Sequence, residues 1–232
     1  MDKENLMLTI AVLGGTGKEG KGLAYRWAKA GYRVLIGSRS SEKAVTAASE
    51  IMELLEGSSS VVGTTNFEAA QQADIVVVTV PYSAHRDTLE NVKEVLKGKL
   101  LVDVTVPIVP PKVSKVQMPA AGSAAQEAKE ILGDDVEVAA AFQNVSHELL
   151  LGEEEVKCDV LVTGTSKKAR AEVLILVEAT GLTGWDAGPI ENSVVVEGLT
   201  SVLININKQY GSTQAGIKIT GAENKQTGFS VQ

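Results

Sequence analysis

Residues 10–20 read I-A-V-L-G-G-T-G-K-E-G, and few folds accept that string. An apolar strand runs straight into a G-x-G-x-x-G turn made by Gly15, Gly17 and Gly20. Gly15 permits the tight bend, Gly17 lets the backbone approach a pyrophosphate, and Gly20 lets the next helix close on the strand. A helix over residues 18–30 then aims its N-terminal N–H groups and dipole at the anion. Glycine turns also serve as plain connections, so the flanks decide. An amphipathic helix with Leu23, Ala24, Trp27 and Ala28 follows, and residues 33–36 supply the second strand of a βαβ unit. The combination predicts a dinucleotide site.

The end of that second strand selects the dinucleotide. An acidic side chain about twenty residues past the cradle would hold the ribose 2′-hydroxyl of NAD. This chain instead reads G-S-R-S-S-E-K over residues 37–43. Arg39 can pair with phosphate oxygens through its planar fork, Lys43 adds a point charge, and Ser38 offers a hydroxyl. Ser40 or Ser41 caps the next helix and turns its positive end toward the same place. That chemistry fits a 2′-phosphate, hence NADP.

A chain of 232 residues suffices for one α/β domain with a smaller C-terminal addition. A net charge of −7 with 4% aromatic residues argues against a nucleic-acid surface. No apolar run is long enough to span a membrane, and residues 1–5 are polar, so a cytoplasmic setting is expected. Cys158, the one cysteine, reads as a buried filler, and His85 and His147 stand at no ligand spacing, so no metal is expected.

Strands and helices alternate from there. Helices are expected over 42–55, 68–72, 87–96 and 123–132, with strands over 61–64, 74–80, 99–104 and 137–142. Apolar runs this continuous predict a Rossmann-type doubly wound parallel sheet, an α/β fold with a small, mainly helical C-terminal subdomain. Ligands in such sheets lie beyond the carboxyl ends of the strands. That singles out residues 80–82, 105–108 and 142–145. The loop 109–119, with Lys112 and Lys115, is a candidate cover. A strand over 159–163 and a helix over 166–179 follow, then a long helix opening at Pro189 and running to about residue 210. The long helix is apolar nearly all round, and a homodimer interface would bury it. The expected division is a dinucleotide domain over 1–150, a strand and helix subdomain over 151–220 completing the cleft, and a polar tail over 221–232.

The strings L-G-G-T-G-K-E-G-K-G-L-A, G-S-R-S-S-E-K, V-V-V-T-V-P-Y and D-A-G-P-I-E-N-S occur in order, with G-I-K at residues 216–218. In these the chain resembles the NADPH-dependent coenzyme F420 reductases, over residues 9–220. The resemblance implies reversible hydride transfer between NADP(H) and C5 of a 5-deazaflavin, in a homodimer; two stacked rings need positioning more than an acid or base, so no obligatory side-chain acid, base or nucleophile is expected. It also implies that Thr16, Gly17, Lys18 and Glu19 line the pyrophosphate turn and that Ser38, Arg39 and Lys43 hold the 2′-phosphate. By the same carry-over Val80, Pro81 and Val106 flank the nicotinamide, with backbone contacts near His147 and Ala215. Pro107, Gln143, Asn144, Pro189 and Asn192 would face the deazaflavin. Some relatives carry histidine where this chain has Gln143, an amide that donates and accepts but does not titrate near neutrality. Two other readings stay open: an NADPH reductase of another acceptor, such as free flavin or a chelated metal, and a non-catalytic NADP-binding redox sensor.

Overall fold

A computed structural model describes residues 8–57, 59–152 and 156–222. The polar start and most of the expected tail lie outside them. Eight strands form one sheet in the order β3-β2-β1-β4-β5-β6-β7-β8. They are β1 (Thr9–Leu13), β2 (Arg33–Ser38), β3 (Val61–Thr65), β4 (Ile75–Val78), β5 (Leu100–Asp103), β6 (Glu137–Ala140), β7 (Asp159–Gly164) and β8 (Thr183–Pro189). β1, β4 and β5 are buried along their whole length, which is why their sequences run apolar without alternating.

The helices are α1 (Lys18–Lys29), α2 (Ser41–Leu54), α3 (Asn66–Gln72), α4 (Tyr82–Val92), α5 (Ala124–Leu132), α6 (Lys167–Ala179) and α7 (Ser193–Tyr210). Ile10 and Val12 of β1 meet α1, α2 and α6 in one core, while Ala11 and Leu13 meet α3, α4 and α5 in another. The two-residue alternation of a strand thus feeds two helical layers. Trp27 is fully buried in the first core and donates Nε1–H to Leu176 O at 2.9 Å, tying α1 to α6.

Three departures from the sequence reading bear on the site. α4 begins at Tyr82 rather than near residue 87, with Pro81 at its N-cap, where a missing N–H costs nothing. β7 runs antiparallel to β6, the one reversed neighbour in the sheet. Among its described residues the link between them carries only a short 3-10 turn, His147–Leu149, and a parallel return would need a full crossover. Finally, residues 183–189 form β8, parallel to β7, whereas no strand was expected there and Pro189 was expected to open the long helix. An edge strand tolerates its glycines and proline. A Cβ on Gly184 would lie 2.7 Å from Leu174 Cδ2, so glycine here lets α6 sit down on the strand. The part after residue 158 therefore holds α6 and α7 but also extends the sheet, and α7 starts at Ser193 after a 3-10 turn, Ile190–Asn192.

Candidate functional site

The strand order reverses between β1 and β4, and their carboxyl ends part there to open a crevice. At its floor Gly14 takes φ +75°, a left-handed conformation, so the bend falls one residue before Gly15. The Gly14 N–H donates to Asn66 Oδ1 at 3.2 Å, and the Gly15 N–H donates to Val12 O and Gly37 O. The three motif glycines then separate by what an added Cβ would meet. At Gly15 it would lie 2.8 Å from Val12 O, and at Gly20 it would lie 2.5 Å from Thr79 Oγ1. At Gly17 the nearest atom is Gly14 O at 3.4 Å, an ordinary contact. The protein's own packing demands glycine at Gly15 and Gly20 but leaves the space over Gly17 to something else. Gly17 is the N-cap of α1 and has no side-chain oxygen, so the first amides of the helix keep their donors for an anion.

A cavity of about 890 Å³ lies over this cradle. Thr16, Gly17, Lys18, Glu19, Ser38, Arg39, Lys43, Val80, Pro81 and Val106 all line it, together with Asn66, Thr79, Tyr82 and Thr105. Gly15 and Gly20 are buried behind the lining. Ser40 is the cap of α2, accepting from Lys43 N–H, so the helix's positive end faces the cavity beside Arg39. Lys18, Arg39 and Lys43 are exposed and make no ion pair or side-chain hydrogen bond with any described residue. Three unneutralised cations lining one cavity of a chain of net charge −7 mark a local anion site. The loop after β5 closes one side through Ile108, Val109 and Pro110, while Lys112 and Lys115 stay outside the lining.

Glu19, Val104 and Val106 also line a second cavity, of about 480 Å³, so the two spaces share a wall. Gln143, Asn144, His147 and Ala215 line it with Thr200, Leu203 and Asn207. The chain enters this region through Phe142 at φ +74°, a conformation that costs a side-chain-bearing residue roughly 1–2 kcal/mol. Packing holds it there: the buried Phe142 ring meets Trp27 edge-on at 5.8 Å. Past that turn Gln143 Nε2 donates to Asp103 O at 2.8 Å, and the Gln143 backbone carbonyl accepts from Thr200 Oγ1 at 2.8 Å. Asn144 Nδ2 donates to Val196 O at 3.1 Å. Both amides are thus fixed by backbone, and Gln143 keeps Oε1 buried without a partner.

The other residues expected at the acceptor lie elsewhere. Pro107 is buried and lines neither cavity. Pro189 closes β8 on the far side of β7, and Asn192 Nδ2 is engaged by Ala187 O at 2.7 Å, bracing the turn at Gly188 (φ +92°). They were expected to face the acceptor from the family resemblance, whereas pairing with β7 carries β8 to the sheet edge.

Sequence reasoning missed a polar layer beneath the first cavity. His85 of α4 and Asp103 of β5 are fully buried and 2.7 Å apart. Burial lowers the His85 pKa, but Asp103, with Glu127 and Glu197 beyond it, outweighs that and raises it. Asp103 Oδ1 accepts from Thr105 N–H at 2.9 Å, which holds the strand exit that walls the cavity. Tyr82 OH donates to Glu127 at 3.1 Å, and Arg86 pairs with Glu127 at 2.7 Å. Asp103 ending an apolar strand was the one local signal. Its partners come from other elements. Cys158 is buried, as expected, and a Cβ on Gly216 would lie 2.6 Å from its Sγ, so the G-I-K segment packs directly on the thiol.

Residues 9–107 match the family described as NADP oxidoreductase, coenzyme F420-dependent. The chain is 43% identical over 221 residues to an F420-dependent NADP reductase of Methanothermobacter marburgensis, covering 92% of this chain and 98% of the relative. It is 37% identical over 224 residues to one of Methanocaldococcus jannaschii, covering 93% and 100%. Among solved structures it is similar to a putative F420-dependent NADP reductase of Arthrobacter sp. FB24, with a TM-score of 0.78 at 26% identity, covering 92% and 99%.

Proposed function

The chain belongs to the F420-dependent NADP reductase family, and from that premise we propose how its cleft brings about hydride exchange between NADP(H) and coenzyme F420. NADP(H) gives or takes the hydride at nicotinamide C4, and the deazaflavin takes or gives it at C5. The protein's part is to hold the two rings face to face in a space without bulk water.

The open space over Gly17 carries the reading, because it is the one motif glycine whose bareness the fold itself does not require. The α1 amides with Thr16 and Lys18 receive the pyrophosphate. Ser38, Arg39 and Lys43 receive the 2′-phosphate, and the unpaired state of both cations supports that role. Val80, Pro81 and Val106 wall the nicotinamide, with backbone near His147 and Ala215 at its far edge. Gln143 and Asn144 line the second cavity, where the acceptor ring meets a mainly apolar surface with fixed amide edges. Residues 1–150 then act as the dinucleotide domain, and 151–220 complete the cleft. The free thiol of Cys158 is in keeping with a reducing cytoplasm. A homodimer belongs to the same reading: α7 leaves Val195 64% and Tyr210 79% exposed on its outer face, with Val202 and Ile206 between them.

Deuterium at one face of C4 of labelled NADPH should appear at C5 of reduced F420 in single turnover, with FMN and FAD far poorer acceptors. Flavin reduction without F420 turnover would instead support a reductase of another acceptor. NADPH binding without oxidation by any acceptor would support a redox sensor.

A further inference from the structure

Among the described residues, four buried side-chain polar atoms have no hydrogen-bond partner: Glu19 Oε1, His85 Nδ1, Gln143 Oε1 and His147 Nε2. Three of them belong to residues lining the second cavity, and Glu19 lines both cavities. Buried polar atoms left unmatched are costly, so a convergent set at one cavity marks groups that work on a ligand. Gln143 and His147 offer edge contacts. Glu19 differs in standing on the wall that both cavities share.

Resting on the reading that the two rings meet across that wall, we propose that Glu19 carries the proton of the reaction. Reducing a 5-deazaflavin takes a hydride at C5 and a proton at ring nitrogen N1. The hydride brings both electrons, leaving NADP⁺. The Glu19 O–H bond breaks as the N1–H bond forms, and the resulting carboxylate is recharged from solvent. In the reverse direction the carboxylate removes that proton while hydride returns to nicotinamide C4.

The setting suits the role. An acid in the first turn of a helix is ordinarily kept ionised by the dipole. Here burial pushes the Glu19 carboxyl up to about 8, so that both forms are accessible near neutrality. The titratable groups sharing its cavities are Lys18, Arg39, Lys43, Tyr82, His147 and Glu148, and none is hydrogen-bonded to it. Val104 and Val106, beside it on the shared wall, are apolar.

The test is Glu19→Gln, which keeps shape and removes the exchangeable proton. In the ligand-free protein, wild-type-minus-Glu19→Gln infrared difference spectra should show a protonated-carboxyl band that is lost as pH rises through about 8, the Glu197 carboxyl cancelling because both proteins carry it. The kcat for F420 reduction should fall above that pH in the wild type, and the kcat for reduced-F420 oxidation should rise through it. Glu19→Gln should lose both inflections and about 10²-fold or more in kcat, while NADPH affinity stays within about threefold. A variant that keeps both pH limbs, or a difference spectrum with no such band, overturns the proposal. Weaker NADPH binding with an unaltered pH profile overturns it too, and makes Glu19 part of the cradle only. No F420 turnover in the wild type would remove the underlying reading as well, even with the band present.

Discussion

At Gly17 an added Cβ makes only an ordinary contact with Gly14 O, and at Gly20 it meets the Thr79 hydroxyl. Gly17→Val should therefore fold normally and lose NADPH binding in calorimetry, because its branches occupy the pyrophosphate's place. Gly20→Ala should instead lower stability by roughly 1–3 kcal/mol through overpacking, read as a shifted urea midpoint. Unchanged NADPH affinity in folded Gly17→Val would refute the cradle. On the proposed reading Arg39 supplies the discrimination between the two cofactors. It is exposed and has no protein partner among the described residues, so removing it leaves nothing unpaired and does not disturb the fold. Arg39→Ala should cost NADPH about 1.5–3 kcal/mol of binding, at least about tenfold, and leave NADH nearly unaffected. Equal losses for both cofactors would mean that Arg39 only supports the loop. The places of these residues along the cavity were legible because each signal is local: a glycine spacing, a strand end, a cap.

Between elements the controlling contacts are long-range. Glu197 of α7 is fully buried and accepts from Ala124 N–H at 2.7 Å and Ala125 N–H at 3.1 Å, satisfying the first amides of α5. Burial, then the charge of Asp103, push its carboxyl up to about 8 against the pull of those amides and of His85. The folded protein thus holds a proton that the unfolded chain releases near 4.5, and stability falls as pH rises between 4.5 and about 8. Glu19 and His85, also raised, act in the same direction. Glu197→Gln points an amide N–H₂ at a backbone donor and should cost about 1–3 kcal/mol at pH 5. It should also flatten the decline in urea midpoint between pH 5 and 8, and an unaltered slope would show that Glu197 is ionised throughout. Nothing in the sequence near Glu197 announces a partner 73 positions away. The same holds for His85 and Asp103, which a periodicity reading leaves on separate elements. β8 escaped for a different reason: its glycines and Pro189 are tolerated only because the strand lies at the sheet edge, a fact of topology. Elements whose pattern reports their own burial, such as β1, β4 and α1, were read with little error.

For the whole molecule the open question is what covers α7. Its inner side buries Val196, Gly198, Ser201 and Leu203. Its outer side shows Val195, Val202, Ile206 and Tyr210 with half-buried Leu199 among them, spaced by four, three, four and four residues, as in the seam of paired helices. The same helix lines the second cavity through Thr200, Leu203, Ile204 and Asn207, so whatever steadies its outer face also steadies that cavity's wall, the one proposed for the acceptor. A two-fold pairing of α7 with its copy would do both, since an isologous seam needs only one self-complementary stripe. The wild type should sediment as a dimer at micromolar concentration, with a thermal midpoint that rises with protein concentration. The double variant Val195→Glu, Val202→Glu places charges on the seam and touches neither cavity lining. It should sediment as a folded monomer, keep its NADPH affinity, and raise the KM for F420 by roughly tenfold through the loosened wall, about 1.4 kcal/mol of lost binding. A wild-type monomer, or a double variant that remains dimeric, would place the interface elsewhere and separate the acceptor site from assembly.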